Sequence, residues 1–150
     1  MKIGLASDHR GYPLKEKIKQ ELMNKGYEIE DYGTNSTEST DYPDYAFILG
    51  KNVVEKNVDY GIAICGSGIG ISIACNKVKG IRCAKVDSME DVLATRKDND
   101  ANIIAFSEKI PFETAIDWVE TFIHTETSTE EKHVRRRNKI KEYEENKNEW

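Results

Sequence analysis

Apolar positions along the chain change their period several times. Residues 2–7 (KIGLAS) form a short, mostly apolar run, as a strand buried on both faces requires. It ends at Asp8-His9-Arg10-Gly11, and Pro13 follows where a first helical turn accepts proline. Leu14, Ile18 and Leu22 recur every four positions, which predicts an amphipathic helix over residues 14–25, stopped by Gly26. Residues 27–32 read as a second strand, 33–41 as a polar loop, and 45–56 as a helix carrying Phe47, Ile48, Val53 and Val54. Residues 60–65 (YGIAIC) are the clearest buried strand, and a glycine-rich turn leads from them into a helix over 71–77. Strands over 82–86 and 102–106 are separated by a helix over 88–97. Helices over 111–124 and, highly charged, over 129–145 complete the pattern. Strands alternating with helices at this spacing predict an α/β fold: a three-layer α/β/α arrangement on a five-stranded parallel sheet, with a charged C-terminal helix. Residues 1–150 are expected to be one domain, long enough to bury a core without disulfides or metal.

Composition narrows the function classes. A chain 38% hydrophobic and 33% charged suits a globular protein with a heavily charged surface, and a net charge of -5 makes nucleic acid an unexpected partner. No apolar run is long enough for a bilayer, and a strand pattern begins at once, without a signal peptide. Neither membrane association nor export is therefore expected. The cysteines are Cys65, Cys75 and Cys83, an odd number without CxxC spacing, which argues against a disulfide framework or zinc site and for a reducing cytoplasm. His9, His124 and His133 form no HxxxH-like pair, so no metal or other cofactor is expected.

In parallel sheets ligands bind outside the carboxyl ends of the strands. There the chain places Cys65-Gly66-Ser67-Gly68-Ile69-Gly70, whose glycines let backbone N–H groups converge at a helix N-terminus. Such a turn can receive a phosphate or a developing oxyanion; equally, it can be a tight strand-to-helix connection with no ligand. Dinucleotide binding is disfavoured, because the turn follows the third strand and reads GxGxG rather than GxGxxG; the lysine of a nucleoside-triphosphate loop is absent too. Helix N-termini draw thiols toward the thiolate, which marks Cys65 as chemically distinct, whereas Cys75 and Cys83 read as inert core. Asp8 and His9 bring a carboxylate and an imidazole to the same rim, or cap the next helix. Tyr42, before Pro43, is a rim aromatic or a packed loop anchor. Lys132 and Arg136 lie four apart on the last helix and share a face able to grip a phosphate, although flanking glutamates also suit a solvated helix.

Taken together, DHxG after the first strand, a DYP box, ICGSGIGIS, AxNKxxGIR, NDAN and a late basic helix appear here in order. Over about residues 1–145 the chain resembles the family of type B ribose 5-phosphate isomerases and two-subunit galactose 6-phosphate isomerases. The resemblance implies a Rossmann-like domain and an aldose–ketose isomerisation through an enediolate. It implies Cys65 as base, Ser67 hydrogen-bonding nearby, and the amides of Gly66, Gly68, Ile69 and Gly70 holding the enediolate. It further implies that Asp8 binds or relays protons at the sugar hydroxyls and that His9 helps hold the phosphate. Sites of this family form between two subunits, so a homodimer or dimer of dimers is implied, with Asn99 reaching the partner's pocket.

Three positions depart from the family pattern. Asp98 stands where the family has a ring-opening histidine, and Lys109 and Lys132 stand for two phosphate-binding arginines, while Arg136 keeps its place. A lysine supplies charge without the planar two-point grip. Ribose 5-phosphate is the expected aldose. A six-carbon phosphate such as allose or galactose 6-phosphate is one alternative, and a non-catalytic sugar-phosphate-binding subunit is the other.

Overall fold

The computed structural model describes residues 1–146. Five strands, β1 (Lys2–Ser7), β2 (Glu28–Asp31), β3 (Tyr60–Cys65), β4 (Cys83–Lys85) and β5 (Ile103–Ser107), form one parallel sheet in the order β2-β1-β3-β5-β4. The helices are α1 (Tyr12–Asn24), α2 (Tyr42–Val54), α3 (Ile69–Asn76), α4 (Met89–Lys97), α5 (Phe112–His124) and α6 (Glu131–Glu145). This is the three-layer Rossmann-like α/β arrangement that the alternating pattern predicts.

The two sheet faces are built differently. Ile3, Leu5, Ile62, Ile64, Ile104 and Phe106 turn large side chains toward α1, α4 and α5, where Ile18, Val92 and Phe122 meet them. The opposite face carries small residues, Gly4, Ala6, Gly61, Ala63 and Ala105, which let α2 and α3 approach closely. A Cβ at Gly4 would lie 2.8 Å from a methyl of Leu49 on α2. Cys65 belongs to this small-residue face and ends its strand beneath the start of α3.

Helix α1 begins two residues before its expected start and α6 two residues after it, and the starts of α2 and α3 are set by the turns that precede them. Helix α2 begins at Tyr42 rather than at residue 45, because the fixed φ of Pro43 suits a first helical turn. Helix α3 begins at Ile69, directly after Gly68 in the left-handed conformation (φ 79°). Helix α6 contributes no buried residue. Its helicity comes from Lys, Arg and Glu, all good helix formers, and from i,i+4 pairs such as Glu131–Arg135. Among the described residues no helix is long and apolar enough to cross a membrane.

From β1 the chain moves outward to β2, then crosses back to β3 on the other side of β1. The carboxyl ends of β1 and β3 thus flank a point where strand order reverses, which is where open α/β sheets leave a crevice for ligands.

Candidate active site

Asp8 follows β1 into that crevice. Its carboxylate is buried, and Oδ1 accepts the N–H groups of Arg10 and Gly11, both at 3.0 Å. It therefore does not cap α1, whose N-cap is Gly11; it fixes the turn ahead of the helix and, among the described residues, leaves Oδ2 without a hydrogen-bond partner. The backbone N–H of Thr40 donates to His9 Nδ1 at 3.2 Å. An accepting Nδ1 places the proton of the neutral ring on Nε2, so His9 offers a donor. Thr40 is held in turn by a 2.9 Å hydrogen bond between its hydroxyl and that of Tyr45 on α2.

Across the crevice Cys65 is only 3% exposed, and its Sγ accepts the Gly68 N–H at 3.2 Å. That contact strengthens when the sulfur is charged. The bend that aims this amide back at the sulfur needs a glycine, because a Cβ at Gly68 would lie 2.6 Å from the Phe106 carbonyl carbon. The Ser67 hydroxyl is used locally: Oγ accepts the Ile69 N–H at 3.1 Å, and the sulfur's partner is the Gly68 amide instead. With the Gly68 and Ile69 amides engaged, the anion-binding donors narrow. Gly70 and Ile71, in the first turn of α3, have no intrahelical acceptor to satisfy. The Tyr42 ring covers Gly70, where a Cβ would meet Cζ at 2.6 Å.

Strand β5 closes the third side. Ser107 Oγ donates to the Gly66 carbonyl at 2.7 Å and accepts the Lys109 N–H at 3.1 Å, so the exposed Lys109 starts from this rim. Arg10 spans the opening, with its stem against Gly66 and its guanidinium 3.4 Å from Glu108 Oε1. Sequence reading missed Arg10, Thr40 and Glu108. Only the position of Arg10, within the Asp8–Gly11 turn, gave any signal.

The remaining predicted residues lie elsewhere. Asp98 caps the C-terminus of α4 and Asn99 follows it, leading into the amino end of β5, whereas Cys65 is paired with Ser107 at its carboxyl end. Five residues of β5 at about 3.3 Å each separate the two ends. Helix α6 packs at the amino end: Arg137 donates to the Asp98 carbonyl at 3.1 Å, and Glu144 accepts the Gly80 N–H at 2.7 Å. Lys132 and Arg136 lie exposed on this helix and, among the described residues, make no hydrogen bond or ion pair. One chain therefore gathers Asp8, His9, Tyr42, Cys65 to Gly70 and Lys109 at one end, and Asp98, Asn99, Lys132 and Arg136 at the other. A cavity of about 760 Å³ under α6, lined by Val53, Arg82, Asp100, Arg137 and Lys141 among others, holds none of the first group.

Of the other cysteines, Cys75 is buried in the core as expected. Cys83 is partly accessible; its hydrogen bond with Cys75, aided by burial, pushes its thiol well above the usual range and away from the reactive thiolate. Among the described residues no group of three or more His, Cys, Asp or Glu is placed to hold a metal ion.

A thiol at a strand end, an open helix N-terminal turn, and a carboxylate and imidazole across the crevice are groups of the kind that proton transfer on a small anionic substrate requires. Comparison with known proteins specifies the class. Residues 3–140 match the model of the family described as Ribose/Galactose Isomerase; the chain belongs to this family and is an aldose–ketose isomerase. It is 43% identical over 109 residues to ribose-5-phosphate isomerase B of Escherichia coli, covering 73% of each chain. Its fold matches the structure of ribose-5-phosphate isomerase B from Clostridium thermocellum with a TM-score of 0.93 at 43% identity, over 98% of this chain and 99% of that one. The enzyme from Mycoplasma genitalium, solved with bound ribulose-5-phosphate, gives a TM-score of 0.88 at 35% identity, over 96% of both chains.

Proposed function

We propose that the protein interconverts ribose 5-phosphate and ribulose 5-phosphate through an enediolate, without a metal ion, with Cys65 as the base. The observation that carries this reading is the Cys65 sulfur, held at the end of β3 by the Gly68 amide beside the open first turn of α3. Isomerisation needs a base at the carbon next to a carbonyl, a stabiliser for the resulting oxyanion, and a group that exchanges protons with the two oxygens. Cys65 takes the proton from C2 of the open-chain aldose and returns it to C1. The Gly70 and Ile71 amides face the oxyanion that develops between these steps, and Asp8 Oδ2 trades protons with the sugar oxygens. His9 donates from Nε2 to the phosphate. The similarity to the Mycoplasma genitalium enzyme and its bound ribulose-5-phosphate supports this substrate over a six-carbon one.

The working unit in this reading is a dimer with shared sites, formed over residues 1–150 as one domain; the last four residues lie outside those described. Support comes from the split between the two residue groups within one chain, and from an exposed apolar stripe, Phe47, Ile48, Ile69 and Ile73, on α2 and α3. A stripe of this kind marks an interface. In the dimer Asn99, Lys109, Lys132 and Arg136 complete the phosphate end of the pocket. Purified protein in EDTA, assayed for ketose formation against five- and six-carbon aldose phosphates, tests the function. Ribose 5-phosphate should be converted with the highest kcat/KM. Activity lost with the chelator and restored by a metal, or a clear preference for a six-carbon sugar, would overturn the assignment.

A further inference from the structure

Ribose 5-phosphate closes to a furanose, so an isomerase acting on it must open a ring before Cys65 can work. Opening moves one proton: the anomeric hydroxyl gives it up, the electron pair forms the C1 carbonyl, the C1–O4 bond breaks, and O4 takes a proton. The group that carries it must be both base and acid near neutrality. A carboxylate ordinarily parts with its proton well below that range, whereas an imidazole does both.

The three histidines differ in what their surroundings allow. His9 already has Nδ1 occupied by the Thr40 amide, and His124 is paired at 2.8 Å with the Tyr27 hydroxyl. His133, in the first turn of α6, has Nε2 3.5 Å from Asp98 Oδ1 and 3.3 Å from Glu130 Oε2, with its side chain 16% exposed. Arg137, one turn further along, holds the Asp98 carbonyl at 3.1 Å and so fixes the carboxylate-bearing residue against α6. Two carboxylates within 3.5 Å of Nε2 favour the tautomer that carries its proton there, which leaves Nδ1 as the base. Lys132 and Arg136, two of the exposed cations of the last helix, lie on either side of His133 in sequence.

We propose that His133 is the acid–base group of ring opening in this enzyme, and that Asp98 is a positioning residue that holds its imidazole. His133 Nδ1 takes the anomeric proton and hands it to O4, so no net proton is gained or lost. The proposal rests on the aldose-phosphate isomerase reading above, and two assays separate the two claims. One is net conversion of ribose 5-phosphate. The other is exchange of solvent deuterium into C1 of ribulose 5-phosphate, followed by NMR; this ketose cannot form a furanose, and exchange needs only the enediolate step. His133→Gln should lower kcat for ribose 5-phosphate by about 10²-fold, with KM within about three-fold, while C1 exchange stays within about three-fold of wild type. Asp98→Asn should show the same split at roughly a tenth of the size, and added imidazole should restore part of the conversion in His133→Gly. Unchanged conversion in His133→Gln, or conversion and exchange falling together in a variant that melts like wild type, would overturn the proposal. A wild-type protein that neither converts nor exchanges would sink the isomerase reading, and the proposal with it.

Discussion

The two ends of the sheet hold the two halves of the candidate site in contrasting ways. At the carboxyl end, Asp8 and Cys65 are buried, and short backbone contacts fix both side chains: two amides on Asp8 and one on the sulfur. At the amino end, Lys132 and Arg136 stand exposed on a helix that buries nothing. The first half is preorganised by the same packing that stabilises the fold. The second adds little to stability, and in the proposed dimer it acts on the pocket of the other copy. Proton transfer tolerates errors of a fraction of an ångström, whereas holding a phosphate needs charge within reach, so the division suits what each half must do.

Changes at the built end should cost the most activity. Cys65→Ala should reduce kcat by ~10²–10⁴-fold, the usual contribution of a general base, and leave substrate affinity within a few-fold. Steady-state kinetics beside calorimetric binding would check this, and a variant retaining more than about a tenth of wild-type kcat would remove Cys65 from its role. At the open end Arg136→Ala should act mainly on KM. Loss of one charge-assisted contact to phosphate costs about 1.5–3 kcal/mol, or roughly 10–100-fold in kcat/KM. Since Arg136 is exposed and, among the described residues, unpaired, thermal unfolding of the variant should match wild type; a large drop in melting temperature would mean that α6 is part of the core after all.

The smallest effect on chemistry, and the largest on stability, is expected at Lys15. Its ammonium is fully buried and lies 2.7 Å from Asp31, which also accepts the Gly33 N–H at 2.9 Å and meets Lys19 at 3.2 Å. Burial pushes the Asp31 carboxyl upward, but these three donors outweigh it and hold the group below the usual carboxylate range. A carboxylate depressed on folding stabilises the protein above its unfolded pKa, and that stability disappears as the pH falls through the folded value. Lys15→Met should therefore cost about 3 kcal/mol at neutral pH, seen as a melting temperature lower by roughly 6–12 °C. The deficit should shrink on acidification as Asp31 protonates in wild type too. A constant deficit down to strongly acid pH would assign the loss to packing alone.

The contrast between the ends also explains what could be read from the chain. Strands β1 and β3 were legible to the residue, because a strand buried on both faces is a continuous apolar run bounded by turns. The glycine turn was legible because its backbone shape restricts residue type. The start of α2 was not, since Tyr42-Pro43 reads as a loop until proline is placed in a first helical turn. What sequence could not supply were the long-range pairs: Lys15 with Asp31, His9 with the Thr40 amide, Arg10 with Glu108, and His133 with Asp98. Each joins residues 16 to 98 positions apart, and no local periodicity records such a meeting. Motifs and the family resemblance named the candidate residues of both groups, but they could not show that one chain holds them at opposite ends of its sheet.

If an active site needs the built end of one copy and the open end of another, as proposed, two chains defective at opposite ends must complement each other in a mixed dimer. Cys65→Ala and the double variant Lys132→Ala/Arg136→Ala, each nearly inactive alone on ribose 5-phosphate, would be co-expressed with different tags and the mixed dimer population assayed. Random pairing makes half the dimers mixed, and each of these holds one intact site and one doubly damaged site. A shared site should restore about a quarter of wild-type kcat/KM per subunit. Activity no greater than the average of the two parents would show that each chain builds its site alone, and would rule out a shared site.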